Sequence, residues 1–155
     1  MDLNDLRQLA TLPTTPYKIR CCTVGGCLAA NGLAVKTQLD AAVGDAGLTE
    51  HVTVCSVGCL GLCSQGPLVQ VDPTGDLYCR VDPEQAPQIL AAVSPNAVAP
   101  NAVSPAIASP PAAMSLSPNL PFFTRQQRIV LENSGHIDPK RIEDYVAAQG
   151  YAALY

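Results

Sequence analysis

The apolar positions of the chain change period several times, and each change marks an element. Tyr17-Lys18-Ile19-Arg20-Cys21 alternates as a half-buried strand does. Leu33, Val35, Leu39, Ala42, Val43 and Ala46 then recur at helical spacing between Gly32 and Gly47, which predicts one helix of about three to four turns. His51 to Val57 is β-branched and alternating, a second strand. Strand, helix, strand in this order implies a parallel pair joined by a right-handed crossover. Leu68-Val69-Gln70-Val71 and Leu77-Tyr78-Cys79-Arg80-Val81 flank Asp72-Pro73-Thr74-Gly75-Asp76, a turn with proline and glycine where a hairpin needs them. Asp82 caps a last helix with Pro83 at its first position, and Ile89, Leu90 and Val93 point inward. Residues 17–93 therefore spell βαβββα in an α/β fold.

The pattern fades on both sides of this unit. Residues 1–16 form an N-terminal arm, with Asp2 as N-cap of a short helix through Leu3, Leu6 and Leu9 that ends before Pro13 and Pro16. Residues 94–119 repeat every five residues around Pro95, Pro100, Pro105 and Pro110, with Ala, Asn, Val and Ser between. Such a run has no apolar face and resists helix, so it predicts a semi-rigid Pro/Ala-rich linker of about 3.1 Å per residue where polyproline-like. Residues 120–155 recover periodicity. Thr124 and Gln127 have capping-box spacing ahead of Arg128-Ile129-Val130-Leu131, and Gly135 stops that helix. Asp138 with Pro139 starts another through Ile142, Tyr145 and Val146 to Gly150, giving a short two-helix tail.

Composition excludes several classes. The 155 residues carry a net charge of −4, no Trp and two Phe, so no basic surface suited to nucleic acid exists and the core must come from aliphatic side chains. The apolar stretch at about 88–114 is broken by prolines and cannot cross a membrane as a helix. Met1-Asp2-Leu3-Asn4-Asp5 is acidic where a secretory leader is basic. Seven cysteines, an odd and clustered number, then read as cytoplasmic thiols in use as ligands instead of a disulfide framework.

Those cysteines carry the chemistry. Cys22 and Cys27 are separated by four residues, 31 residues follow, and Cys59 and Cys63 are separated by three. Glycines 25, 26, 58, 61 and 66 surround them. Thiolates are soft ligands for zinc, copper(I) or iron–sulfur, and exposed turn N–H groups favour an anionic cluster. Neither pair has the Cys-x2-Cys spacing of zinc knuckles or thioredoxin-type disulfides, and the plant ferredoxin order is absent. Spacing favours a 2Fe-2S rhomb with one cysteine pair per iron; a zinc-stabilised adaptor without redox chemistry and a metal-free thiol redox module are the competing readings. Cys55-x3-Cys59 has the same spacing as Cys59-x3-Cys63; the latter is preferred because Cys55 lies within a strand. Between Cys21 and Cys22 spacing decides little. Cys79, expected within a strand, reads as a small buried hydrophobe. Lys18 and Arg20, expected on an edge strand, and His51 and His136 read as solvated or capping groups.

Cys22-x4-Cys27, Cys59-Leu60-Gly61-Leu62-Cys63 and Gly66-Pro67-Leu68-Val69-Gln70-Val71 resemble the thioredoxin-like 2Fe-2S ferredoxin domain of the small peripheral subunit of respiratory complex I. They resemble more closely the copy fused to the N-terminus of the flavoprotein (diaphorase) subunit of bidirectional NAD-reducing hydrogenase. The resemblance implies Cys22, Cys27, Cys59 and Cys63 as cluster ligands, leaving Cys21, Cys55 and Cys79 as extras. Pro121-Phe122-Phe123-Thr124-Arg125-Gln126-Gln127-Arg128-Ile129 and Asn133-Ser134-Gly135-His136-Ile137-Asp138-Pro139 are similar to the lead-in of the NADH-binding flavoprotein domain, here incomplete. No Gly-rich phosphate loop is present, so FMN and NAD(P)H belong to the missing remainder or a partner chain. The expectation is a one-electron carrier that is not catalytic alone, partnered by other diaphorase, hydrogenase or complex I-like subunits or a redox flavoprotein, with neither nucleic-acid binding nor membrane insertion.

Overall fold

The structure, a computed structural model, describes Asp5, residues 15–93 and residues 115–154. The expected helix of the N-terminal arm, Asp5 apart, and the proline repeat up to residue 114 lie outside the described residues. Strand β1 (Tyr17–Cys22) is followed by a one-turn helix α1 (Gly25–Ala29), a long helix α2 (Gly32–Asp45) and strand β2 (Val52–Val57). Strands β3 (Val69–Asp72) and β4 (Leu77–Tyr78) form the hairpin, and α3 (Ala86–Val93) closes the unit. Downstream come β5 (Ser115–Leu116), α4 (Pro121–Thr124) and α5 (Ile142–Ala147).

These strands make one sheet in the order β2-β1-β3-β4-β5. β1 and β2 are parallel, in the register Tyr17 with Val52 through Cys22 with Val57; every other pairing is antiparallel. β1 is thus internal, with β2 on one side and β3 on the other, and Arg20 is 6 % exposed. The expectation of solvated charges on an edge strand fails for Arg20 because β3 folds back onto the free side of β1.

Successive side chains of a strand face opposite ways, and here the two faces have different fates. Ile19, Cys21, Val52, Val69 and Val71 pack with Val35, Leu39 and Val43 of α2 and Ile89, Leu90 and Val93 of α3. That core is the one the helical and strand periodicities predict, except that Leu33 of the expected helical face is 51 % exposed and stays outside it. Cys22, Val57, Leu60, Leu68 and Leu77 form a second cluster with Cys27 and Cys79, against which Leu116 and Phe123 of the tail pack. Asp82 caps as expected: its side chain accepts from the Glu84 N–H at 3.1 Å, while its own N–H donates to Gln85 Oε1 at 2.8 Å.

Four local expectations need correction. The second tail helix begins at Ile142 after Arg141, not at Asp138 with Pro139, because Asp138 instead holds a turn by accepting from the Lys140 N–H. β4 stops at Tyr78, because Arg80 takes φ +52° and its N–H donates to the Gln65 carbonyl, leaving the ladder; Cys79 is buried just beyond the strand. In the tail, the first helix is Pro121–Thr124, with Thr124 at its C-terminal end donating to the Leu120 carbonyl, so the Thr124/Gln127 capping box does not form. Ile129, Val130 and Leu131 lie in turns and are exposed. Ser115–Leu116, within the stretch whose composition reads as linker, hydrogen-bond to β4 as a fifth strand. Proline-free and next to an open edge, this dipeptide satisfies the free backbone groups of β4.

Candidate metal centre

The parallel register explains how cysteines remote in sequence meet. Cys22 ends β1 directly beside Val57, which ends β2, so both cysteine loops leave the same end of adjacent strands. The first loop is not extended but turns at once into α1, which carries Cys27 inward until it is wholly buried. Gly32 then lets α2 begin against this turn, since a Cβ there would lie 2.7 Å from the carbonyls of both Cys22 and Cys27. The second loop runs through Gly58 to Gly61, and Cys63 opens a turn of 3-10 helix to Gln65.

The two loops press on each other through positions without side chains. A Cβ on Gly66 would meet Cys27 Sγ at 2.9 Å and Cys27 Cα at 3.3 Å; one on Gly26 would lie 3.4 Å from the Cys63 carbonyl oxygen. Cys59 Sγ and Cys63 Sγ are 3.3 Å apart, and the Gly61 N–H donates to Cys59 Sγ, also at 3.3 Å. Cys27 is pushed up to about 12, first by burial and then by its hydrogen bond with Cys22, while the Leu68 N–H works the other way. Cys63 is raised chiefly by its bond with Cys59 and senses Cys22 as well. Four thiols thus share one neighbourhood as two pairs, graded from buried Cys22 and Cys27 to exposed Cys63.

The remaining cysteines sit elsewhere. Cys21, one residue from Cys22, points into the helix-side core, where burial drives its thiol far up. Cys55 lies in β2 opposite Arg20, raised by burial and opposed by Lys18. Cys79 is buried in the second cluster, and burial raises it too. His51 is exposed in the turn before β2. His136 accepts from Arg20 Nη1 at 3.0 Å, so its Nδ1 is unprotonated, and burial followed by the Arg20 charge lowers its pKa.

The sequence reading missed the tail's contacts with this site. Ser134 Oγ donates to the Cys59 carbonyl at 3.0 Å, Arg128 Nη2 to the Leu60 carbonyl at 3.0 Å, and Arg20 Nη1 to the Gly135 carbonyl at 2.8 Å. Arg20 also pairs with Asp72 at 2.7 Å. Gly58 and Gly135 allow the approach: a Cβ on the former would lie 2.9 Å from Ser134 Oγ, and on the latter 2.9 Å from Leu60 Cδ2. Nothing in the local pattern of residues 128–136 signals these partners, because they are remote in sequence.

The donor set suits one inorganic group well. Two thiolate pairs match the two irons of a 2Fe-2S rhomb.

Comparison with known proteins agrees. The chain is similar to the wild-type thioredoxin-like 2Fe-2S ferredoxin from Aquifex aeolicus at 22 % identity, covering 50 % of this chain and 84 % of that one, with a TM-score of 0.45. A cysteine-to-serine variant of the Aquifex aeolicus ferredoxin matches at 19 % identity over 65 % of this chain and 98 % of its own, with a TM-score of 0.53, which is a likeness of fold. The sequence profile of the thioredoxin-like 2Fe-2S ferredoxins matches residues 7–94, more than half of the chain and the whole stretch holding both cysteine loops, so the chain belongs to the thioredoxin-like 2Fe-2S ferredoxin family.

Proposed function

We propose that the protein is a one-electron carrier whose cluster is held by Cys22, Cys27, Cys59 and Cys63, within an NAD(P)H-linked diaphorase of the bidirectional hydrogenase or complex I-like type. The observation that carries the reading is the meeting of two cysteine pairs at the end of a parallel strand pair, packed together through Gly26 and Gly66. When bound, the 2Fe-2S cluster supplies reversible uptake of a single electron.

The chain's own residues set the terms of that exchange. Cys22 and Cys27, both about 1 % exposed or less, close the inner side of the site to water. Cys63, which is exposed, marks the side from which a redox partner would approach. Ligand thiols must lose their protons, and with Cys27 raised to about 12 in the free protein, cluster assembly releases protons. The flavin partner follows from the resemblance of residues 121–139 to the lead-in of an NADH-binding flavoprotein domain, and FMN and NAD(P)H would be bound outside these residues. Among the described residues no helix is long and apolar enough to cross a membrane.

The test is a visible spectrum with iron, sulfide and zinc determination on protein purified without oxygen. Two irons and two sulfides per chain, with bands that bleach on dithionite, are expected. A colourless protein with one zinc would replace the carrier by the adaptor reading. NADH oxidation with an artificial acceptor is expected only after a flavoprotein partner is added; activity of the chain alone would overturn that assignment.

A further inference from the structure

Arg128 lies well outside the family-matched residues 7–94 but reaches the second cysteine loop. Its Nη2 donates to the Leu60 carbonyl at 3.0 Å and its Nη1 to the Ser134 carbonyl at 3.2 Å, while Ser134 Oγ donates to the Cys59 carbonyl. Gly61 has φ +93°, and a Cβ there would stand 2.6 Å from Arg128 Nη2, so the guanidinium fills the space that this glycine leaves open. Among the described residues no carboxylate lies within ion-pairing distance of the guanidinium, although Glu132 lines the same cavity. A guanidinium keeps its charge at every accessible pH.

A fixed cation against this loop acts on the two redox states unequally. One-electron reduction adds a negative charge at the cysteine site, and a nearby positive charge stabilises the reduced state more than the oxidised one. Arg128 and Ser134 also occupy the carbonyls of Leu60 and Cys59, while the N–H of the next residue, Gly61, is directed at Cys59 Sγ at 3.3 Å. An N–H bond to a ligand sulfur works in the same direction.

We propose that Arg128 is a positioning residue that raises the reduction potential of the cluster, so that the tail tunes the ferredoxin unit on which it packs. The inference rests on the electron-carrier reading with Cys59 and Cys63 as ligands. Iron and sulfide content of the full chain is measured first, and absence of a cluster would end that reading independently of Arg128.

Anaerobic spectroelectrochemical titration of the loaded protein then decides the role of Arg128. Arg128→Gln removes the charge and leaves a shorter polar side chain in its place. It is expected to lower the one-electron reduction equilibrium constant about tenfold, equivalent to 59 mV, with iron content and visible spectrum unchanged. Arg128→Lys should stay within about twofold of wild type, since the charge remains. Equal potentials for Arg128→Gln and wild type would overturn the proposal, as would a fall in Arg128→Lys as large as in Arg128→Gln. If Arg128→Gln does not fold, Arg128→Met, which fills much of the same space without a charge, decides. A lower potential supports the proposal and an unchanged one overturns it.

Discussion

Replacing Gly66 by alanine tests whether the two cysteine loops are in contact as tightly as the geometry says. Gly66 has φ −66° and ψ 158°, values any residue adopts, so the substitution imposes no backbone penalty of its own. The cost is purely steric. The new methyl group would lie 2.9 Å from Cys27 Sγ, 3.3 Å from Cys27 Cα and 3.4 Å from the Cys63 carbonyl, and two of these neighbours are backbone. Overpacking of this kind costs about 1–3 kcal/mol, and relief requires the two loops to move apart. Gly44→Ala is the matched control: Gly44 lies inside α2 with nothing within 4 Å of an added Cβ. There the same change should stabilise by about 0.5–1 kcal/mol, because alanine has the higher helix propensity and less freedom to lose. Urea unfolding measures both, and iron per chain reports the site. Gly66→Ala is expected to lose stability and most of its cluster. Wild-type iron content with unchanged stability would refute the close packing of the loops.

Three further outcomes are expected. Cys59→Ala or Cys63→Ala should abolish the visible bands while Cys55→Ala retains them; loss of the bands in Cys55→Ala would show that the ligand set has been misassigned. Asp72→Asn should destabilise by about 2 kcal/mol in urea, between an exposed and a buried pair, since Arg20 is 7 % and Asp72 35 % exposed in their side chains; a change under about 0.5 kcal/mol would mean that Arg20 does not depend on this carboxylate. Because His136 is lowered in the folded state, it binds fewer protons folded than unfolded, so its contribution is present above the ordinary histidine range and fades as pH falls through the lowered value. Protection factors of residues 128–136, that is, exchange rates corrected for the intrinsic pH dependence of amide exchange, should therefore fall on acidification from pH about 7.5 to about 5.5, and His136→Gln should flatten that response.

Much of the unit was legible because its signals are local. The helix over 32–45 shows in the spacing of Val35, Leu39 and Val43, and the cap at Asp82 with Pro83 depends on neighbours one to three residues away. The tail was harder to read: residues 128–131 have the composition of a helix start, yet Arg128 is held by Leu60, 68 positions upstream. That competing long-range bond, with the turn through Ser134 and Gly135, takes the segment out of helix. Arg20 shows the same limit, since its burial depends on β3 pairing with β1 and on the Gly135 carbonyl arriving from the tail.

The sequence by itself determined the order of the first four strands and the two longer helices, the soft-ligand chemistry and the presence of two cysteine pairs, because residue type and short-range spacing carry that information. Tertiary structure decided which side each cysteine takes. Cys21 and Cys22 are chemically identical neighbours, and strand alternation sends one into the helix-side core and the other to Cys27. It also decided that the tail lies over the Cys59 loop, through glycines whose only sequence signal is a missing side chain. Such contacts depend on distances between segments remote in sequence, which the folded backbone sets and residue order alone does not express.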